Sequence, residues 1–205
     1  MDEPTLEMMP EPQLSFIDYP TKRGSCLTYF VAGCGFRCVD CQNCQLQVKG
    51  GDLWKKYGQT KVYFYPEDVV IIMDTYDKEK NRNQRKVTIM GGDPMFKDNR
   101  DFIGEVIRIA YVTHTNLRFC IYTGHEIDEV LDFFNTKYAN FSEWASTIEF
   151  IKTGRYINTL VRPATEIGKH NGKFRLASTN QKLYWFNPKT AKHELISLDG
   201  ESALV

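Results

Sequence analysis

Four of the chain's six cysteines fall between Cys34 and Cys44. The stretch Cys34-Gly35-Phe36-Arg37-Cys38-Val39-Asp40-Cys41 is a C-x3-C-x2-C run. Three thiols this close together can converge only on something small. Thiolates suit zinc, copper(I) or an iron–sulfur cluster. Three from one tight loop, without a separate second pair, fit a [4Fe-4S] cube better than tetrahedral zinc. Such a cube takes four ligands, so Cys34, Cys38 and Cys41 would leave one iron open to a substrate or cofactor. Cys44 extends the run to C-x3-C-x2-C-x2-C. If Cys44 held the fourth iron the site would be closed, and the chain would be an electron carrier or a structural module. A zinc site built from the same four cysteines is the other closed arrangement.

The second chemical signal is Gly91-Gly92-Asp93-Pro94. Two glycines let a ligand approach the backbone, the aspartate offers an acceptor to an ammonium group, and proline stiffens the exit. Alone this is an ordinary turn. Its place in the chain gives it weight. Ser25 to Val31, β-branched and aromatic, reads as a strand running into Gly33 and the cysteine loop. Lys86 to Met90 reads as a strand ending in the Gly-Gly turn, Leu117 to Tyr122 as a strand ending in Thr123-Gly124, and Thr147 to Ile151 as a fourth. Helices are expected from Pro66 through Tyr76, with Pro and two carboxylates in the first turn, after an Asp98-Asn99 cap, and from Glu126 to Phe134. Leu183 to Phe186 is the clearest later strand. Strands alternating with helices predict an α/β fold with a parallel sheet. All three candidate segments then lie at the carboxyl ends of strands, where parallel α/β folds bind ligands.

The 205 residues suggest one domain, expected over 14–205 behind a frayed acidic tail at 1–13. Lys plus Arg equals Asp plus Glu at 26 each, so nothing asks for a nucleic acid or other polyanion. Asn81 to Lys86 is the only basic cluster and reads as a solvated loop. The N-terminus lacks the basic and apolar regions of a signal peptide, and the longest apolar run, Val69 to Met73, is too short to span a bilayer. A cytoplasmic protein without membrane contact is expected. Clustered cysteines point to metal rather than a disulfide framework. Cys26 and Cys120 sit inside strands and read as core. The four histidines are scattered and read as surface or capping residues, with His125 nearest the candidate site.

At this point the sequence resembles the radical S-adenosylmethionine (SAM) superfamily, with its C-x3-C-x2-C loop after the first strand and a Gly-Gly-acid-Pro turn after the second. Within it the segments Phe30-Val31-Ala32-Gly33-Cys34, Met90 to Met95, Ile121-Tyr122-Thr123-Gly124 and Ser178 to Trp185 are similar to the anaerobic ribonucleotide reductase activating proteins. The resemblance implies an incomplete, TIM-like (β/α) barrel of parallel strands. With 205 residues against the ~250 of a full barrel, one side would be open to a macromolecular partner. It implies a [4Fe-4S] cluster on Cys34, Cys38 and Cys41. SAM would chelate the open iron, its ammonium group received by Gly91, Gly92 and Asp93 and its nucleoside end lined by Thr123 and Gly124. Reductive cleavage would give methionine and a 5′-deoxyadenosyl radical. That radical would take a hydrogen atom from a glycine of the reductase large subunit. A flavodoxin-type protein would be the electron donor. A different glycyl-radical partner, or a small substrate as in 7-carboxy-7-deazaguanine synthases, would keep the same machinery. The chain departs from the superfamily at Asp40, where an aromatic residue is usual. A carboxylate facing the cube would hinder its reduction, so Asp40 is expected to point to solvent.

Overall fold

The computed structural model describes residues 5–21, 24–50, 61–170 and 173–196. Its centre is four parallel strands, β3 (Cys26–Val31), β5 (Lys86–Gly91), β6 (Arg118–Tyr122) and β7 (Ile148–Thr153), in the order β7-β6-β5-β3. Leu27 to Val31 pair in register with Val87 to Gly91, and Lys86 to Ile89 with Arg118 to Ile121. The flanks are antiparallel. β10 (Lys182–Asn187) adds to β7 and pairs with β11 (Lys192–Ile196). On the other side lie β1 (Leu6–Met8), β2 (Gln13–Ser15) and β4 (Lys61–Tyr63). A separate hairpin joins β8 (Gly168–His170) and β9 (Lys173–Arg175). The fold is therefore a mixed α/β sheet with the expected parallel centre.

Alternation along each strand divides the sheet into two faces. One face carries Leu27, Tyr29, Ile89, Phe119 and Ile121. It packs on α1 (Pro66–Glu79), α2 (Arg100–Val112), α3 (Ile127–Lys137) and α4 (Phe141–Trp144) through Val69, Met73, Ile103, Val106, Phe134 and Trp144. This is the larger core. Its far end is an aromatic stack, with Phe134 and Phe141 rings 4.9 Å apart and Trp144 edge-on to both. The opposite face carries Cys26, Cys120, Phe150 and Leu183, covered by Tyr19, Phe174 and Leu176. Cys26 and Cys120 are core residues, as expected. With stability concentrated on the helical side, this second face is left to build a site at its carboxyl edge.

Several expectations change. Residues 5–13 are not a frayed tail: Leu6 and Met8 are fully buried, and β1 pairs with both β3 and β4. Pro10 and Pro12 cannot donate to a ladder, so they break what would otherwise be one long strand beside β3 into β1 and β2. The basic stretch 81–86 is not simply solvated. Asn81 is buried and donates to Asp77 Oδ1 at 2.8 Å, and Arg85 pairs with Asp74. Gly50-Gly51-Asp52 suggests a loop and Leu53 to Tyr65 carries no clear period; of these, positions 51–60 fall outside the described residues.

Candidate metal centre

The cysteine loop leaves β3 at Gly33, whose φ of +94° favours glycine. Its neck is zipped by two backbone bonds, Gly33 N–H to Leu46 O (2.8 Å) and Cys34 N–H to Gln47 O (3.0 Å). The returning chain makes a 3-10 turn at Cys44–Leu46, and Leu46 plugs into the sheet edge against Ala32 and Phe30. The Gly-Gly turn is sewn to the same neck. Gly92 N–H donates to Val31 O (2.7 Å), and Asp93 N–H to Gly33 O (2.8 Å). A Cβ on Gly92 would lie 2.7 Å from Leu46 O and closer still to Gly33 O. One on Gly91, at φ +114°, would lie 2.7 Å from Val31 O. The space these glycines open is thus taken by the cysteine loop's own backbone.

Asn99 ties the neck from below. It was read as a helix cap and does stand at the start of α2, but its side chain does not cap the helix. Its fully buried amide donates to the carbonyls of Ala32 (2.9 Å), Asp93 (3.0 Å) and Gly33 (3.3 Å). Nothing in the local sequence separates this role from capping; only the fold brings three carbonyls to one amide.

All eight expected site residues line one cavity of ≈ 360 Å³: Cys34, Cys38, Cys41, Gly91, Gly92, Asp93, Thr123 and Gly124. The three thiols are half-buried, whereas Cys44 is exposed, lies outside the cavity lining, and donates to Gln45 Oε1 at 3.7 Å. Among the described residues, no three Cys, His, Asp or Glu side chains are close enough to share one metal ion. Sulfurs on a single tetrahedral zinc would sit about 3.8 Å apart, given Zn–S near 2.3 Å, whereas ligands at separate corners of a cube stand farther apart. The donor set, three thiols lining one cavity, suits a cube held at three irons with the fourth left open. Burial pushes the Cys34 thiol up to about 11, against a hydrogen bond from Phe36 N–H at 3.3 Å. Metal uptake there must displace a proton.

Asp93 is 1% exposed, and its carboxylate is largely engaged by the protein. Oδ1 accepts from Met95 N–H (2.8 Å) and Thr123 Oγ1 (2.7 Å), and Oδ2 from Gly124 N–H (2.9 Å). It therefore straps the end of β6 to the turn after β5. A carboxylate has about four acceptor sites, so roughly one is left for an ammonium group. Burial pushes its pKa up despite these bonds. Gly124 is held from its other side by the cysteine loop: a Cβ there would lie 2.5 Å from the Phe36 ring, which also meets His125 edge-on at 4.9 Å. Asp40 is exposed, as expected, with φ +55°, and accepts from Asn158 Nδ2 at 3.1 Å.

The remaining walls were not legible in advance. Phe30, Met90, Tyr122 and Lys152 project from successive parallel strands at their carboxyl ends. Asp18 enters over the second sheet face, its backbone carbonyl accepting from Thr88 Oγ1 (3.1 Å) and the Tyr122 hydroxyl (3.0 Å). Arg155, Tyr156, Arg175 and Gln181 form the far wall. Gln181 and Ser178, in a segment that carries the family resemblance, are buried, Gln181 bracing Gly154 O and Ser178 N–H. Burial pulls the Lys152 ammonium down to about 8, opposed by the Asp93 carboxylate and the thiols of Cys38, Cys120 and Cys41.

No helix among the described residues is long and apolar enough to cross a membrane. Comparison with curated proteins gives no match. The family model of 4Fe-4S single cluster domains matches residues 22–182, which takes in the cysteine loop, the Gly-Gly turn, all four parallel strands and the far wall. A cysteine-lined cavity at the carboxyl edge of a parallel sheet, spanned by that match, places the chain in the 4Fe-4S single cluster domain family.

Proposed function

We propose that the chain is a radical SAM enzyme that installs a glycyl radical on the large subunit of anaerobic ribonucleoside-triphosphate reductase. One observation carries the reading. Of four clustered cysteines, three line a cavity together with the Gly91-Gly92-Asp93 and Thr123-Gly124 segments, and Cys44 faces away. A four-iron cluster on three thiolates has room for one ligand that is not protein. Cys34, Cys38 and Cys41 would hold that cluster. When bound, the cluster and SAM supply one-electron cleavage of a sulfonium carbon–sulfur bond.

The chain's own residues position and shield that chemistry. The neck bonds at Gly33 and Cys34, with Asn99 beneath them, fix the loop that carries the thiols. The spare acceptor capacity of Asp93 and the adjacent Gly91-Gly92 backbone would take an ammonium group. Thr123 and Gly124, aligned by Asp93, would border the nucleoside. Arg155, Tyr156, Leu176 and Gln181 also line the cavity, and Arg155 lies over Phe36 of the cysteine loop, which helps keep water from a reactive intermediate. An external low-potential donor, of flavodoxin type by family resemblance, would supply the electron.

A second reading keeps the machinery and replaces the protein substrate with a small anionic one, as in 7-carboxy-7-deazaguanine synthases. It is favoured by the cationic Arg155 in the cavity lining. The test is anaerobic reconstitution followed by reduction with SAM and purified reductase. About four irons per chain, methionine release, and a glycyl-radical doublet in the electron paramagnetic resonance (EPR) spectrum are expected. Cys44→Ala should retain the irons, and Cys34→Ala should abolish SAM cleavage. SAM cleavage without a doublet would reject the activase role. Loss of the cluster in Cys44→Ala would reject the three-thiolate site.

A further inference from the structure

Lys152 is a buried charge of the cavity that this chemistry leaves unused. It stands at the carboxyl end of β7, 9% exposed, in the same cavity as the three cysteines. Its backbone carbonyl accepts from Thr123 N–H at 2.9 Å. Its ammonium donates to Gly154 O at 3.1 Å and lies 5.9 Å from the centre of the Tyr122 ring. Among the described residues, no carboxylate forms an ion pair with it. The other charges of the cavity are differently placed. Asp93 has its oxygens on Met95, Thr123 and Gly124, and Asp18 accepts from Thr28 Oγ1. Arg175 pairs with Glu166, and Arg155 lies over the Phe36 ring.

Burying an ammonium costs several kcal/mol unless negative charge compensates it. A position needing only packing would be filled by methionine or leucine at no such cost. One carbonyl is poor compensation, and the Asp93 carboxylate favours the ammonium without pairing with it while serving three donors of its own, so further balancing charge must come from what the cavity holds. Three thiolates on a cube provide it. The assembly carries one net negative charge when oxidised and two when reduced, so a nearby cation stabilises the reduced state more. Net charge and surrounding dipoles are among the levers that set such a cluster's potential, and partial burial strengthens the attraction relative to water.

We propose that Lys152 is a fixed positive charge that eases one-electron reduction of the cluster held by Cys34, Cys38 and Cys41. An external low-potential donor gives up one electron and the cluster gains it. No bond forms or breaks, and the ammonium keeps its proton. This rests on the cysteine assignment above and not on SAM, which makes Lys152 a positioning charge rather than a catalytic residue.

The test is a redox titration without SAM. Wild type, Lys152→Met, Lys152→Gln and Lys152→Arg are reconstituted anaerobically, assayed for iron, and titrated with dithionite and mediators while the reduced cluster is followed by EPR. At the wild-type midpoint, the reduced-to-oxidised ratio should fall at least tenfold in the Met and Gln variants, a shift of about 59 mV for one electron. Lys152→Arg should stay near wild type. Fully loaded neutral variants with an unchanged ratio would overturn the proposal. So would loss of the cluster from both neutral variants, which would assign Lys152 to folding or cluster retention. A wild type that takes up no iron would overturn this and the cysteine assignment together. A loaded wild type that ignores SAM would sink only the radical reading.

Discussion

Gly92→Ala is the sharpest test of how the cysteine loop is held. The added Cβ would lie 2.7 Å from Leu46 O, 2.9 Å from the Gly33 carbonyl carbon, and nearer still to Gly33 O. All three are backbone atoms of the loop neck, so no flexible side chain can yield. Either the Gly-Gly turn or the neck must move. That movement strains the bonds Gly92 N–H to Val31 O and Asp93 N–H to Gly33 O. Overpacking costs about 1–3 kcal/mol, and weakening one or two hydrogen bonds adds about 0.5–1.5 kcal/mol each. The total is about 1.5 to 6 kcal/mol. For a chain of this size it lowers Tm by about 3 to 24 °C. The assay is thermal unfolding of the metal-free protein, with iron uptake measured in parallel. Gly35→Ala is the control. Its Cβ would meet only the Phe96 ring, at 3.3 Å, and should cost under about 1 kcal/mol. If Gly92→Ala melted with wild type and loaded normally, the glycine would not be there for the loop's backbone, and the account of the neck would be wrong.

Two further outcomes follow from single side chains. The His193 ring bonds Ile148 O at 2.7 Å, which requires a protonated Nε2, and burial holds the ring neutral by lowering its pKa from 6.5 to about 4. The unfolded chain binds that proton first, so stability present above pH ~6.5 is lost as pH falls toward 4. The loss reaches about 3 kcal/mol. Urea unfolding at pH 7 and 4.5 should show about 2 to 3 kcal/mol less acid sensitivity in His193→Gln than in wild type; equal sensitivity would disprove the neutral ring. Thr123→Val keeps the shape but removes a 2.7 Å bond to buried Asp93 Oδ1. It should cost about 1–3 kcal/mol in chemical denaturation while leaving iron uptake intact, and a change below about 0.5 kcal/mol would show that Asp93 does not depend on this strap.

Where local pattern and tertiary packing agreed, reading was easy. The four parallel strands were legible because β-branched and aromatic runs carry their own signal, and the turns after three of them carried cysteines or glycines. β1 was missed because three residues between acidic positions and prolines give no periodicity; its burial comes from pairing with β3 and β4. His193 was read as a surface residue, yet its ring reaches the Ile148 carbonyl across the sheet. Asn99 looked like a cap because Asn before a helix usually is one, and its three carbonyl partners come from residues 32, 33 and 93.

The sequence by itself settled the ligand chemistry: thiols at C-x3-C-x2-C spacing, and two small-residue turns at the carboxyl ends of neighbouring strands. It assigned Cys34, Cys38 and Cys41 and left Cys44 open as a fourth ligand, because a further C-x2-C spacing reads the same either way. What packing adds is a difference in placement between Cys44 and the other three. Leu46 is drawn into the sheet edge, the chain turns at Cys44–Leu46, and the last thiol is left exposed. The charges that share the cavity with the cysteines were equally out of reach. Asp18, Lys152, Arg155 and Arg175 are distant in sequence, and only closure of the N-terminal segment and the far wall over one sheet face brings them to the same cavity.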